Sequence, residues 1–584
     1  MAWVNGSGIA TRSLRAGLSR ACSPGRFTTQ LFPVGYPQRA IARTSPACLR
    51  APCRSRWRCQ TPAPPPRRVI TTPLYYVNAA PHLGSAYPTM ACDALARYYR
   101  MQGDSVCFVT GTDEHGEKIA QAAAAAGREP QAHCDAVTAE FRALWQRLNI
   151  EYDVFVRTTQ PQHAAIVRQF MQRVFDRGDI YRATYRGLYC TGCEEYKDAD
   201  ELTDDQLCPL HQTRCESRVE DNYFFRLSRY QHDIEQLLRS SAGDASAFVM
   251  PEERRNEVLG WVRAGLRDFS VSRAHNPWGL PVPGDDHQTV YVWFDALLGY
   301  VSALLADGQA PTLENAVARG WPAEVHVLGK DILRFHACYW PAMLLSAGLP
   351  LPKRLFSHGF LTKDGMKMGK SLGNTVDPMQ LVDEFGADAV RYYFLRGIEF
   401  GRDGDYSRER LVRLVNADLA NSIGNLLNRS LNLLCKHCEQ RLPCAVPMQH
   451  ELAQLARTCM PSAAERYAQL DFAGACEHLL RLSNEANVLI DREAPWKRMK
   501  QADTREDACR TLVAMLEVVR VVSTALWPIV PGMAHRVLQA LGLMAEDERR
   551  VPSWSDTAWG ACAERMSTGM PLRLVPPVFP RLPD

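Results

Sequence analysis

The stretch VITTPLYYVNAAPHLGSAYPTM, Val69 to Met90, decides the fold. Its first part is apolar, β-branched and aromatic (Val69, Ile70, Leu74, Tyr75, Tyr76, Val77), the composition of a buried strand. The run breaks at Asn78 and Pro81, and a helical pattern begins at about Ser85, with Met90, Ala91, Leu95, Ala96 and Tyr99. Between them lies Pro81-His82-Leu83-Gly84. A glycine at that hinge lets another group approach the backbone, and the free N–H groups opening the helix form an anion site. An imidazole beside them can donate a hydrogen bond to a phosphate. Strand, His-x-Gly turn and helix in succession point to nucleotide binding at the C-terminal edge of a parallel sheet. Alone, the pattern is equally a strand-to-helix turn with an incidental histidine.

Far downstream, a Gly- and Lys-rich loop reads TKDGMKMGKSLGN, with Lys367-Met368-Gly369-Lys370-Ser371 at its centre. A lysine run by itself is a solvated surface. Two lysines on a glycine-flexed loop, in a chain that also carries the first motif, suit a clamp on a polyphosphate. With both motifs in hand, the chain resembles the class I aminoacyl-tRNA synthetases, marked by a His-x-Gly-His element and a Lys-Met-Ser-Lys-Ser loop that act on ATP. The resemblance assigns His82, Gly84, Ser85, Lys367, Lys370 and Ser371 to catalysis.

At 584 residues, 46% hydrophobic and 23% charged, the chain is globular and long enough for two or three domains. Its formal charge of +4 is unevenly spread. Residues 1–68 hold twelve arginines and no lysine, Asp or Glu, and the first acidic residue is Asp93. The 68 basic residues less these twelve leave 56 against 64 acidic ones, so the rest of the chain carries about −8. Bulk charge therefore gives no support for RNA binding over the body. The Arg-, Ser-, Ala- and Pro-rich segment 1–68 has the composition of a disordered mitochondrial or chloroplast transit peptide; a basic RNA-binding arm is the alternative. PAPPP at 62–66 ends it as an extended spacer. No segment reads as a membrane span, because the longest uncharged run, Val69 to Cys92, is interrupted by Pro73, Pro81 and Pro88. Nineteen cysteines do not form the dense, even set of a secreted scaffold, and outside one local cluster they are expected to be reduced core thiols.

Residues 69–181 read as the first half of a doubly wound, Rossmann-type parallel sheet of an α/β protein. A second strand, Val106–Thr110, ends in Gly111-Thr112-Asp113-Glu114-His115-Gly116, and a helix, Lys118–Ala126, follows. Polar residues at a strand's carboxyl end are where such sheets place ligand contacts, although Asp113 could equally cap the helix. In an insertion spanning 182–285, Cys190-x2-Cys193 and, fourteen residues on, Cys208-x2-His211 make two tight turns. Their thiolates and imidazole can close a tetrahedron around a structural Zn2+, with Cys215 a rival fourth ligand. The α/β character returns over 286–355. Val290–Ala296 reads as a strand, Leu297–Leu305 as a helix and Val325–Leu328 as another strand. Gly329-Lys330-Asp331 closes that strand, and Gly329 and Asp331 are assigned to the nucleotide. The next helix carries His336 and Trp340, four apart on one face. Residues 356–404 hold the lysine loop and a stem-contact region. From 405 to 550 apolar residues recur every three or four positions (Leu411, Val415, Leu419, Ile423, Leu426; Leu512, Met515, Leu516, Val519, Val522), the pattern of an antiparallel all-α bundle. The Pro-rich extension 551–584 has no legible role.

Within class I the resemblance narrows to the methionyl-tRNA synthetases, and to the bacterial type found in plant organelles, from about Val69 to Ala540. It implies that Leu74, Tyr76, Trp293, Ala296, Tyr300, His336 and Trp340 receive the thioether of L-methionine, where polarizable sulfur packs on ring edges, and that Asp113 holds the amino group. It implies a zinc knuckle between the sheet halves, ATP with Mg2+, and ligation of methionine to tRNA(Met) through a methionyl-adenylate. Asn425, Arg429 and Trp496 would meet the anticodon in the helical bundle by hydrogen bonding and stacking. A monomer in the mitochondrion, the chloroplast or both is expected, without membrane contact. The chain departs from the family at Ser85, which replaces a second histidine, at Gly369, which replaces serine, and at Leu297, where some members have proline. Three rivals stand beside this reading: a class I enzyme for cysteine, leucine, valine or isoleucine, a small-molecule nucleotidyltransferase, and a catalytically silent paralogue that binds RNA.

Overall fold

Side chains along the strand Arg68–Tyr76 (β1) alternate between two apolar cores, and its neighbours repeat the alternation. Val69, Val109, Val156, Leu328 and Leu355 enter one core; Ile70, Phe108, Phe155, Val327 and Phe356 enter the other. A sheet covered on both faces has no polar side, so its strands read as unbroken apolar runs. The computed structural model describes residues 68–583 apart from 191–194, 198–201, 204, 210–212, 241–246, 275, 277, 306–307, 369–374 and 549.

Val106–Asp113 (β2), Val154–Arg157 (β3), Val249–Met250 (β4), Val325–Gly329 (β5) and Leu355–His358 (β6) complete a six-stranded, fully parallel sheet in the order β3-β2-β1-β5-β6-β4. The chain winds outward from β1 to β3, then returns on the far side of β1 with β5. This reversal opens a crevice beyond the carboxyl ends of β1 and β5, the position at which open α/β sheets hold ligands. β1 shifts register between Thr71 and Leu74, where Pro73 has no N–H to give. Gly111 lies so close to β3 that a Cβ would stand 2.0 Å from the Val156 carbonyl oxygen.

Four expectations change. β2 runs on through Gly111-Thr112-Asp113 rather than ending at Thr110, carrying Asp113 opposite Tyr76 of β1. Val290–Ala296 is not a strand: a strand ends at Val290 and Val292–Leu297 is a helix. All of that segment but the partly exposed Trp293 is buried, so its apolar run satisfies either geometry, and tertiary contacts of Asp295 favour the helix. Val249–Met250, inside the expected insertion, supplies the edge strand beside Leu355–Phe356. Arg68 belongs to the fold and not to the leader, because its guanidinium bonds Asp104 at 2.6 Å and Glu324 at 3.2 Å over the Tyr99 ring. The rest of the expected transit peptide lies outside the described residues.

The C-terminal half is built from helices that include Arg408–Val415, Asn425–His437, Glu451–Ala468, Phe472–Glu493, Arg505–Ala525 and Pro531–Ala540. Leu411, Val415, Leu419 and Ile423 recur at strict intervals of four, which at 3.6 residues per turn drifts about 40° per step. All four are nevertheless buried, because residues 416–424 are wound as a π-helix whose wider turn cancels the drift. The extension after 550 has a structural part: Asn416 donates to the Leu582 carbonyl (2.9 Å) and accepts from its N–H (2.7 Å), and Trp554 sits edge-on to Tyr98 and Tyr467.

The helix Leu83–Met101 (α1) is pinned to this half by charge. Asp93, fully buried, contacts Arg97 and Arg391 at 2.7 Å each. Arg391, on the helix Ala387–Arg396, also donates to the carbonyls of Pro528 (2.9 Å) and Ile529 (2.8 Å). Removing one partner of a buried ion cluster strands the others, at about 3–5 kcal/mol. Asp93→Asn, which leaves both guanidiniums without their shared anion, should lower unfolding stability by about that amount in denaturant titration, whereas a change under about 1 kcal/mol would show that the cluster is not what joins the two halves.

Candidate active site

The crevice is bordered on one side by the start of α1. His82 is its N-cap, in extended conformation, and accepts at Nδ1 from the Gly84 N–H (3.0 Å). That bond leaves the ring proton on Nε2. A Cβ on Gly84 would lie 2.8 Å from the imidazole, so only glycine keeps this cap. Ser85 accepts from the His82 N–H (3.1 Å) and donates to its carbonyl (2.7 Å), closing a capping box. Ser85, which the resemblance assigns to catalysis, is a clasp on the turn, its only proton committed to the His82 carbonyl.

On the other side an aromatic chamber is assembled from three parts of the chain. Trp293, Ala296 and Tyr300 follow helical spacing across Val292–Leu297 and Gly299–Ser302. Trp293 stacks on Phe335 with centroids 4.1 Å apart and meets His336 edge-on at 6.2 Å. The Tyr300 hydroxyl bonds His336 Nε2 at 2.9 Å, and its ring faces Trp340 at 6.5 Å. Leu74 packs on Gly299, where a Cβ would stand 2.3 Å from it. His336 and Trp340 are delivered by a π-helical turn, Phe335–Tyr339, running into the helix Trp340–Ser346. Tyr76 and Asp113 pair across the carboxyl ends of β1 and β2. At the mouth of β5 the Asp331 carboxylate folds over Gly329, whose Cβ would sit 2.5 Å from it.

Sequence reasoning missed the residues that hold this chamber. His326, fully buried, accepts at Nε2 from the Trp340 indole (3.3 Å) and bonds the Thr71 hydroxyl at Nδ1 (2.6 Å), with its ring 4.4 Å from Tyr300. His336 donates from Nδ1 to the Ile332 carbonyl (3.0 Å) and so accepts from Tyr300. Both imidazoles are thereby fixed as neutral tautomers. Burial drives the basicity of both down: His336 to about 4, and His326 well below the usual value, His336 beside it adding to the effect. Asp295 joins the chamber to β2, contacting His115 at 2.6 Å and His163 at 2.7 Å. Burial pushes the Asp295 carboxyl up, but the two imidazoles outweigh it and hold the group well below the carboxylate range. Only a motif that includes spatial partners could have revealed this carboxylate.

Other expected residues divide. Cys190, Cys208 and Cys215 bury together, so the rival ligand Cys215 joins the cluster, while Cys193 and His211 lie outside the described residues. Among the described residues no group of three or more His, Cys, Asp or Glu is arranged as a finished metal site. Lys367 ends the hairpin strand Met366–Lys367, and Gly369, Lys370 and Ser371 lie outside the described residues. Asp403, which accepts the Phe360 N–H just ahead of that hairpin (2.8 Å), pairs with Lys330 at the end of β5 (2.7 Å). In the bundle, Asn425 and Arg429 are one helical turn apart, and the Arg429 guanidinium sits 5.1 Å from the Trp496 ring while bonded to Asp491 at 2.7 Å. No described helix is long and apolar enough to cross a membrane.

The tRNA synthetases class I (M) match the chain over residues 68–213 and 197–431. The chloroplastic/mitochondrial methionine–tRNA ligase of Arabidopsis thaliana is 54% identical over 522 residues, 88% of this chain and 83% of that protein. The chain belongs to the methionyl-tRNA synthetases of class I. A methionine–tRNA ligase from the cyanobacterium Thermosynechococcus vestitus is also 54% identical, over 82% of this chain and 90% of its own length. The Mycobacterium tuberculosis methionyl-tRNA synthetase, solved in complex with methionyl-adenylate, superposes with a TM-score of 0.80 at 37% identity, over 88% of this chain and all of that one.

In this synthetase the neutral chamber has a measurable signature. Unfolded histidine titrates near 6.5 and folded His336 near 4, so the unfolded state binds the extra proton between those values. Stability should therefore be fully present above about pH 6.5 and decline by roughly 3 kcal/mol through this group as pH falls to about 4. In His336→Asn the slope of unfolding stability against pH should flatten across that window; a slope equal to the parent's would show that His336 does not titrate as its surroundings dictate.

Proposed function

We propose that the chain joins L-methionine to tRNA(Met) through a methionyl-adenylate formed from ATP, acting as a single chain in a mitochondrion or chloroplast. The observation that carries this is one sheet reversal with the His82 cap on one side and the ring of Trp293, Tyr300, His336 and Trp340 on the other. The kinship to synthetases from an organelle-targeted plant protein and from cyanobacteria supports the compartment.

The methionine carboxylate attacks the α-phosphorus and pyrophosphate departs; the aminoacyl group then passes to the terminal adenosine of the tRNA. A carboxylate nucleophile needs no base, so the protein aligns reactants and stabilises charge. The thioether enters the aromatic chamber, where a neutral His336 and the Tyr300 hydroxyl present no charge to a weakly polar sulfur. Asp113 receives the ammonium group, and Tyr76 and Leu74 close the side chain in. His82 offers Nε2–H to the triphosphate beside the N-terminus of α1, and Gly84 and Ser85 hold it there. Gly329 and Asp331 border the adenosine. Lys367, Lys370 and Ser371 meet the pyrophosphate as its charge develops. Mg2+ arrives with ATP.

Residues 69–181 and 286–355 act as the two halves of the catalytic domain, 356–404 as the lysine-loop and stem-contact region and 405–550 as the anticodon reader through Asn425, Arg429 and Trp496. Zn2+ would be held by Cys190, Cys193, Cys208 and His211, with Cys215, buried beside Cys190 and Cys208, as the rival fourth ligand, and the metal would supply cohesion to the 182–285 insertion rather than chemistry.

ATP–pyrophosphate exchange tests the assignment directly. It should depend on methionine and not on cysteine, leucine, valine or isoleucine; exchange with none of them would leave only an RNA-binding role. Lys370→Ala should lower exchange about a hundredfold or more while leaving methionine affinity nearly unchanged, by comparison with loss of one preorganised charge-stabilising donor. Stacking of one base contributes about 1–3 kcal/mol, so Trp496→Ala should weaken tRNA charging roughly 5- to 100-fold and spare exchange. A parallel fall in exchange would remove the bundle as a separate reader.

A further inference from the structure

Four thiols gather where two bundle helices meet. Cys435 lies in the helix Asn425–His437, Cys438 caps its C-terminus, Cys444 follows in the next loop and Cys509 lies near the start of Arg505–Ala525. The Cys438 and Cys509 sulfurs are 3.7 Å apart, in contact but not bonded. Cys509 in turn donates to Met499 Sδ at 3.7 Å. Among the described residues no group here is arranged to hold a metal ion, so the chemistry open to the pair is that of a dithiol.

We propose that Cys438 and Cys509 are a redox-modified pair, closed to an intramolecular disulfide by a small disulfide of the oxidised-glutathione class and reopened by a dithiol reductant. The two positions differ in the way such chemistry requires. Cys438 is half-buried and within reach of a small oxidant, whereas Cys509 is only 6% exposed and reachable through Cys438 alone. Cys438 stands where the chain leaves its helix (φ −126°), and Glu439 and Gln440 follow with left-handed backbone, so its sulfur is not held by a continuing helix. It needs to advance about 1.7 Å to reach the ~2.05 Å bond. Burial, and then the neighbouring Cys438, push the Cys509 thiol up to about 12, so it attacks only once its proton is drawn off.

The exchange balances. The Cys438 thiolate attacks oxidised glutathione, its S–S bond breaks, and one glutathione leaves with the proton that Cys438 gave up. Cys509 then loses its proton and attacks the Cys438 sulfur, expelling the second glutathione. Two protein thiols lose two electrons and two protons, and one glutathione disulfide becomes two thiols. The new bond ties the helix of Asn425 and Arg429 to the helix Arg505–Ala525. It also takes from Met499, three residues past Trp496, its contact with the Cys509 S–H. The consequence for tRNA rests on the anticodon assignment above; the disulfide itself does not.

Folded full-length protein treated with oxidised glutathione and digested without reduction should yield a peptide joined through Cys438 and Cys509, absent after dithiothreitol. In Cys509→Ser, glutathione should remain on Cys438. Glutathione persisting on Cys438 of the unaltered chain, a disulfide between other partners, or no modification would overturn the site. The mapping uses neither methionine nor tRNA, so its failure is separate from failure of the proposed activity. Crosslinked protein should charge tRNA severalfold more slowly with exchange unchanged; equal charging by crosslinked and reduced protein would overturn the link from this pair to the reading face.

Discussion

A buried carboxylate shared by two guanidiniums fixes the geometry of everything that faces the crevice. Asp93, Arg97 and Arg391 have essentially no solvent exposure, yet together they carry one excess positive charge. The surroundings absorb it with the exposed carboxylate of Glu151, 3.3 Å from Arg97, and with carbonyl dipoles. Arg391 reaches Leu148, Pro528 and Ile529, and Arg97 reaches Asn149, all just beyond the C-termini of the helices Pro130–Arg147 and Arg505–Ala525. Those ends carry partial negative charge. Burial pushes the Asp93 carboxyl up, and the two guanidiniums outweigh that and hold it ionised. The helix α1 therefore cannot slide or rotate without uncovering charge, and its first turn, with His82, is held at the crevice from behind.

The two walls of the crevice are made by opposite means. The α1 side is a backbone device: the Gly84 N–H holds the His82 ring, and the Ser85 hydroxyl clasps the turn. The chamber side is dry and neutral. Its histidines are kept from charging by burial, and the Trp340 indole and Tyr300 hydroxyl that bond their Nε2 atoms suit the unprotonated ring, while the Ile332 carbonyl at His336 Nδ1 opposes the effect. A triphosphate and a thioether need these contrasting environments, and the sheet reversal between β1 and β5 places them a strand apart. Asp295, with an imidazole on each oxygen, ties the Trp293 helix to the end of β2, where Asp113 emerges.

Much of this was legible from local pattern. The apolar run at Val69, the His82 turn and the lysine loop pointed to a nucleotide-binding parallel sheet, because burial on both faces and free helix N–H groups leave marks a few residues long. The set at 293, 296, 300, 336 and 340 came through family likeness, and the rings of Trp293, Tyr300, His336 and Trp340 pack against one another. What escaped depends on partners distant in the chain. Tyr291 to Ala296 reads as strand or helix until His115 and His163 are placed against Asp295. Ser85 looks like a phosphate ligand until its hydroxyl is seen bonded to its own turn. Residues 551–583 carry no periodicity because they fill gaps in a core that other helices define, as Asn416 with Leu582 shows. The interval of four at 411–423 pointed to a helix but gave no sign of its π-helical winding.

The pairing of β1 with β5 has a kinetic side. Thr71 and His326, which meet across that seam, are 255 residues apart in the chain. The bundle helices, by contrast, contact near neighbours and pack early, since loop closure delays distant pairings far more than local ones. Until β5 arrives, β1 offers a bare hydrogen-bonding edge lined with valine, isoleucine and tyrosine, the kind of surface that seeks another strand. During that interval the nascent chain is open to misassociation, and the step that removes the hazard is the same one that brings the catalytic cleft into being.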